Sequence, residues 1–574
     1  MADALLRIEN LSVDIDTSRG LIHPVRNVSL HIEPGEMLGL VGESGSGKSV
    51  TAMTVPRLMP RETVHIAGGA ILFDGVPLHT KTERQMRAIR GNDIAVIFQE
   101  PMTALNPVFT VEQQMVEPLQ LHLKMRRSQA RARSLELLDM VGIRDPGRVL
   151  NSYPHELSGG MQQRVMIAMA MSCNPKLLIA DEPTTALDVT TQLQILDLMV
   201  DLQQEHGTSV LLITHDLGVV AQTCARASVM SNGEIVEAGV VEDLFSKPQH
   251  EYTKRLLSFI PSGRGHIAGL ISERPSDPAR AERNPRAEGE TPVVSVRGLR
   301  KVFTPRGHKP GTEADVIAVD DVSFDVYRGQ TVAVVGESGS GKSTAGRSIL
   351  RLHEPTAGEV EFNGTDVLAL GPDAMRRIRK DMQIIFQDTY STLDPRWSIG
   401  RSLGEALRLH TDRSRDEIND RIAQTLTTVG LPVDSMYRFA HEFSGGQRQR
   451  LGIARALLLD PTFVVCDEPV SALDVSVQAQ ILELMQELQE SLDLSYLFIT
   501  HDLSVVEMIA DYVLVMNRGK VVEQGPVDAI YSNPQHAYTR ALLAAVPVAD
   551  PSQRVDRSKR RELVDAGLAA ASEM

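Results

Sequence analysis

GESGSGKS occupies residues 42–49 and returns unchanged at residues 336–343. The spacing GxxxxGK[ST] is that of a phosphate cradle. Its glycines let backbone N–H groups turn inward around an anion, its lysine supplies a point charge, and its last hydroxyl reaches Mg²⁺. Two copies predict two nucleotide sites on one chain. The first is built from Gly42, Ser44, Gly45, Gly47, Lys48 and Ser49, the second from Gly336, Ser338, Gly339, Gly341, Lys342 and Ser343. An apolar run precedes each copy, MLGLVG at 37–42 and TVAVVG at 331–336, and reads as a buried strand. Helix-compatible stretches follow, VTAMTVPRLM after Ser49 and TAGRSILRLH after Ser343. Strand, glycine turn and helix put the phosphates at a helix N-terminus, where the macrodipole favours them.

A chain of 574 residues is too long for one core; at ~150 residues per domain, two to four domains are expected. A hydrophobic fraction of 42% and a charged fraction of 23% are those of an ordinary globular protein. Cys173, Cys224 and Cys466 lie far apart, which suits a reducing compartment and core positions better than a disulfide framework. The N-terminal stretch has neither a basic region nor a long apolar one, so no signal peptide is expected. No window is apolar for long enough to span a bilayer, and any membrane role must come through a partner. The formal net charge of -15 argues mildly against a nucleic-acid surface.

The halves repeat each other well beyond the octapeptide. SYPHELSGGMQQR (152–164) returns as RFAHEFSGGQRQR (438–450), and LLIADEPTTALDVTTQLQIL (177–196) as FVVCDEPVSALDVSVQAQIL (463–482). LLITHDLGVV (211–220) matches LFITHDLSVV (497–506), and KPQHEYTKRLL (247–257) matches NPQHAYTRALL (533–543). One fold used twice is expected: a domain over 1–261, a linker over 262–292, a second domain over 293–549 and a tail over 550–574. The linker is rich in Pro, Arg, Glu and Gly without an apolar period. The tail is given no role.

Several residues are candidates for chemistry. In each half an apolar strand ends in two acids, Asp181–Glu182 and Asp467–Glu468. A carboxylate there, beside the phosphate loop, can hold Mg²⁺, and the next can polarise an attacking water. His215 and His501 follow second apolar runs and precede Asp216 and Asp502, which suggests γ-phosphate sensors. Gln99 in IAVIFQEP and Gln387 in MQIIFQDT follow a further strand, where a side-chain carbonyl can complete a Mg²⁺ shell. Ser158, Gly159 and Gly160, like Ser444, Gly445 and Gly446, open helical runs; they can be plain caps or a second anion site.

This ordered set resembles the ATP-binding cassette (ABC) ATPases, and the resemblance covers nearly all of both halves. It implies an α/β protein with two tandem P-loop, RecA-like nucleotide-binding domains. Each would carry a helical signature subdomain and an antiparallel β subdomain. ATP and Mg²⁺ are the implied cofactors, held in a head-to-tail pairing. One site would combine Lys48, Asp181, Glu182 and His215 with the 444–446 turn, the other Lys342, Asp467, Glu468 and His501 with the 158–160 turn. Asp188 and Asp474 match the family's ALD loops, and Phe303 matches its adenine-stacking aromatic, where the first half has Ile15.

FQEPMTALNP, FQDTYSTLDPR and the PQHxYT endings look like the ATPases of oligopeptide and dipeptide importers. That resemblance implies a peripheral protein on the cytoplasmic face of the plasma membrane, hydrolysing ATP to drive uptake. Two membrane permeases would be contacted near Gln99 and Gln387, and an extracytoplasmic substrate-binding protein would complete the system. No direct nucleic-acid partner is implied. Residues 258–292 lack cysteine, so the iron–sulfur site of one relative type is not expected. A tandem ABC protein acting on ribosomes would have a longer charged helical linker and lack PQHxYT; an exporter ATPase is opposed by the importer-like stretches. Dipeptides, longer peptides, glutathione-like tripeptides and nickel chelates all stay open as cargo.

Overall fold

Five consecutive buried residues make Met37–Val41 a strand covered on both faces, and Ser209–Thr214 beside it and Leu177–Asp181 one strand further are likewise buried throughout. Side chains alternate across such strands. Leu38, Leu40, Leu177, Ile179, Leu211 and Ile213 therefore join one core. Met37, Val41, Leu178, Ala180, Val210 and Leu212 join another on the opposite face. The computed structural model describes residues 4–17, 20–99, 101–184, 187–259, 290–305, 315–389, 392–471, 473–554 and 557–572. The expected linker lies outside these but for residues 290–292.

Two compact units result. The first comprises Met1–Leu187, Thr191–Ile267 and Pro547–Lys559; the second comprises Asp188–Thr190, Ala268–Val546 and Arg560–Met574. In the first, a six-stranded sheet runs Glu234–Val240, Arg226–Ser231, Met37–Val41, Ser209–Thr214, Leu177–Asp181, Ile94–Ile97. All neighbours are parallel except the Glu234–Val240 edge. In the second unit the corresponding order is Lys520–Pro526, Tyr512–Asn517, Thr331–Val335, Ser495–Ile499, Phe463–Asp467, Met382–Ile385.

A separate four-stranded antiparallel sheet covers one face in each unit. It is built on the long pair Leu6–Thr17 and Gly20–Ile32 in the first, and on Val294–Phe303 and Val316–Val326 in the second. Leu6, Ile8, Leu11 and Val13 point from it into the core that also holds Leu38 and Leu40. The other face carries helices: Val111–Leu123, Arg127–Met140 and Gly159–Met171 in the first unit, Ile399–His410, Arg415–Thr428 and Gly445–Leu457 in the second. Their starts are written in the sequence. Thr110 and Gln113 close a capping box, as do Ser414 and Glu417, each satisfying two orphan N–H groups. The expected α/β fold, with a helical signature subdomain and an antiparallel β subdomain in each half, is the fold observed.

The segment Pro547–Lys559 packs with the first unit although it follows the second half in sequence. Arg554 donates from Nε to the Ala221 carbonyl at 2.9 Å and from Nη2 to the Cys224 carbonyl at 2.6 Å. These are carbonyls left over at the end of helix Leu217–Thr223, so the guanidinium caps it. Among the described residues no helix is long and apolar enough to cross a membrane.

Candidate functional site

The sheet order aligns the predicted groups. Along the carboxyl ends of four adjacent parallel strands come the phosphate loop, then His215, then Asp181 with Glu182, then Gln99. The second unit repeats the series with its own loop, His501, Asp467 with Glu468, and Gln387. Carboxyl ends of parallel strands are where open α/β sheets bind ligands.

The loops need glycine for two reasons at once. Gly42 has φ 155° and Gly47 φ 102°, backbone that other residues avoid. A Cβ on them would lie 2.1 Å from the Met230 carbonyl oxygen and 2.3 Å from that of Pro24. Gly336 and Gly341 are held the same way against Met516 and Ala318. Gly45 and Gly339, also left-handed, have open space beside them, as a rim turned toward a ligand would. Lys48 begins the helix Lys48–Thr54 and donates from Nζ to the carbonyls of Gly42 and Glu43, both at 2.8 Å. Lys342 does the same with Gly336 and Glu337, and its burial pushes its pKa down. Ser44 and Ser338 lie in the same turns.

Ser49 Oγ donates to Asp181 Oδ1 at 3.0 Å, and Ser343 Oγ to Asp467 Oδ1 at 2.6 Å. Each unit thus brings a hydroxyl and a carboxylate together, hard oxygen donors of the type Mg²⁺ takes. Burial pushes the Asp181 carboxyl above its ordinary value, against the opposing hydrogen bond from Ser49. A nearby dication would favour its ionised form and oppose that shift.

Glu182 and Glu468 sit one residue beyond their strands in left-handed backbone, φ 47° and 49°. Glutamate rarely adopts this conformation, and such strain collects at functional sites. The neighbouring strand holds it: Glu182 N–H donates to the Ile213 carbonyl and Glu468 N–H to that of Ile499, each at 2.9 Å. Both carboxylates are gripped at both oxygens. Gln99 Nε2 donates to Glu182 Oε2 at 2.7 Å, while His215 Nδ1 lies 3.2 Å from Oε1. Gln387 Nε2 donates to Glu468 Oε2 at 2.7 Å, with His501 Nδ1 3.1 Å from Oε1. The glutamines are therefore joined to the glutamates rather than to the Ser–Asp pairs. Burial alone would lower both histidine pKa values, but the facing carboxylates outweigh it and raise them. For Glu468, burial is the largest influence and works upward, but the His501 hydrogen bond and charge, with Lys342 and Ser471, together outweigh it and leave its pKa lowered.

Ser158 caps helix Gly159–Met171 by accepting from Met161 N–H, and Ser444 caps Gly445–Leu457 by accepting from Gln447 N–H. Asp474 is likewise an N-cap, for Val475–Leu492, accepting from Val477 N–H at 3.1 Å. Asp188 accepts from Thr190 Oγ1 at 2.8 Å. Phe303 ends its strand with Lys301 Nζ 4.8 Å above the ring and His353 edge-on at 5.6 Å.

Two features went unread in the sequence. One is the pair of tyrosines that reach the phosphate loops, Tyr252 and Tyr538. Their signal was present in the repeated PQHxYT endings, which mark them without saying what they touch. The other is Arg347, whose Nη2 donates to Asp467 Oδ2 at 3.0 Å, where the first half has Met53.

Comparison with known proteins gives the family. The ABC transporter model matches residues 25–185 and 319–471, and the model for the oligopeptide/dipeptide transporter C-terminal region matches 236–289 and 522–568. The "Glutathione import ATP-binding protein GsiA" of Salmonella choleraesuis (strain SC-B67) is 48% identical over 96% of this chain and 91% of its own length. The protein of that name from Escherichia coli (strain K12) matches at the same identity and coverage. Among solved structures, the dimeric cassette MJ0796 aligns with 41% of this chain and 98% of its own, at 31% identity and TM-score 0.38. Two nucleotide-binding units, each with its phosphate loop and acidic strand end and each followed by a peptide-transporter C-terminal region, make this chain a member of the ABC transporter ATPases of the oligopeptide/dipeptide type.

Proposed function

We propose that this ATPase energises the uptake of small peptides, with glutathione-like tripeptides as the leading cargo. It would act on two separate permease subunits fed by an extracytoplasmic substrate-binding protein, from the cytoplasmic face of the plasma membrane. The observation that carries this reading is the 48% identity to a glutathione import ATP-binding protein across 96% of the chain.

In each half the loop N–H groups and Lys48 or Lys342 bind the β- and γ-phosphates. Ser49 with Asp181, and Ser343 with Asp467, would hold Mg²⁺, which when bound offsets phosphate charge. Glu182 and Glu468 orient the attacking water and accept its proton through a carboxylate fixed at both oxygens. His215 and His501 can exchange that carboxylate for the γ-phosphate. Gln99 and Gln387, near which the permeases would dock, would tie the same carboxylate to the membrane subunits.

Glu182→Gln with Glu468→Gln should lower ATP turnover by about 10²–10³-fold while nucleotide still binds. Turnover at the wild-type rate would refute the role of the glutamates. For the cargo, cells lacking this gene should lose uptake of labelled glutathione and recover it with the wild-type chain but not with the double variant. Uptake that persists without the gene would refute the substrate assignment and leave the ATPase assignment standing.

A further inference from the structure

The repeated endings PQHEYT at 248–253 and PQHAYT at 534–539 have no part in the chemistry above, yet each is built as one device. Glu237, on the antiparallel edge strand, accepts from Gln249 N–H at 2.8 Å and from His250 N–H at 3.0 Å. His250 Nδ1 then accepts from Tyr252 N–H at 3.2 Å, capping the helix Glu251–Ser258. The helix is thereby turned so that the Tyr252 phenol meets the phosphate loop, where its oxygen accepts from Glu43 N–H at 3.0 Å. The second unit repeats every contact. Glu523 accepts from Gln535 and His536, His536 accepts from Tyr538 N–H, and the Tyr538 phenol accepts from Glu337 N–H at 3.0 Å. Tyr538 is wholly buried.

Glu43 and Glu337 are the residues that follow the first loop glycines, and their carbonyls receive Lys48 and Lys342. The lysines donate also to the Gly42 and Gly336 carbonyls, so the phenol holds the N–H of the Gly42–Glu43 or Gly336–Glu337 peptide group and the lysine holds its carbonyl. We propose that Tyr252 and Tyr538 are positioning residues for ATP binding. In this reading each peptide-transporter C-terminal region sets the height of its own half's phosphate loop, and thereby the place of the lysine. The inference rests on ATP binding by the loops, which the family shares, and not on what the chain transports.

Tyr→Phe keeps the ring and removes the acceptor, leaving a loop N–H unpaired. In the full chain carrying Lys342→Ala, so that the first loop dominates binding, Tyr252→Phe should raise the Kd for a fluorescent ATP analogue about tenfold. Tyr538→Phe should do the same in a Lys48→Ala chain. Binding measured with and without Mg²⁺ should weaken alike, because the loop and not the Ser–Asp pair is disturbed. A packing control is Leu256→Ala, which loosens the same helix from a buried position without touching the phenol. It should lower the thermal midpoint with less than a threefold change in Kd. The proposal is overturned if both Tyr→Phe variants change Kd less than threefold, or if Leu256→Ala raises Kd as much at an equal loss of stability.

Discussion

Asp467 and Asp181 occupy the same place at the end of the same strand, and each accepts from the serine of its own loop. Beyond that they part. Asp467, 1% exposed, has its second oxygen on the Arg347 guanidinium, whereas the matching position in the first half is Met53, a buried apolar residue. Phe303, flanked by Lys301 and His353, likewise corresponds to Ile15 in the first half. The glutamate, glutamine and histidine are the same in both. The halves share the groups proposed to act on water and differ at residues beside the proposed nucleotide and metal groups, so they should differ in binding before they differ in chemistry.

Arg347→Met puts the first half's residue into the second and gives the largest effect. A buried carboxylate that loses its ion-pair partner is costly, but Arg347 is itself 37% exposed, so a loss of about 1–3 kcal/mol is expected. Thermal unfolding should move down by several degrees. An unchanged midpoint would mean that the arginine contributes nothing to the second unit's stability.

The aromatic difference should be smaller. On aromatic-pair magnitudes, a ring lost or gained against adenine is worth about 1 kcal/mol, about a fivefold change in affinity. Phe303→Ile should weaken nucleotide binding at the second site by that factor, read in a Lys48→Ala chain. Ile15→Phe should tighten the first, read with Lys342→Ala. If neither moves, the ring does not stack on the base and the contrast between the sites rests on Arg347 alone.

The smallest effect tests what the halves share. His215 and His501 have pKa values raised above the ordinary 6.5, so the stability they contribute is complete below that value and is lost as pH rises through the raised one. Glu468, lowered from 4.5, contributes above that value and loses its share as pH falls through the depressed one. The thermal midpoint should therefore decline as pH climbs above 6.5. His215→Ala with His501→Ala should flatten that slope, and an equally steep slope in the double variant would remove the histidines from the account.

Much of this was legible in the amino acids. The loops announce themselves because glycine at fixed offsets beside Lys and Ser has few other uses, and LLIAD or FVVCD can only be strands covered on both sides. Alternation in LRIENLSVDIDT even encodes which face of the antiparallel sheet is buried. What stayed hidden are contacts made by the fold rather than the local chain. Tyr252 meets Glu43 across 209 positions, and Arg347 meets Asp467 across 120. Glu182 gives no hint of its left-handed backbone, because the usual marker for that conformation is glycine. Asn106, Phe109 and Leu121 line a cavity of about 470 Å³ with Phe98, which precedes Gln99, and no sequence period reveals that hollow.

The capping arginine at 554 bears on how the gene could ever be divided. Severing the chain between its halves would strand a portion of the first unit, Pro547–Lys559, on the wrong product. The carboxyl end of helix Leu217–Thr223 would then lose its guanidinium cap. Two-gene arrangements of such ATPases would need another way to finish that surface, and a single reading frame guarantees that every first half is delivered with its missing piece.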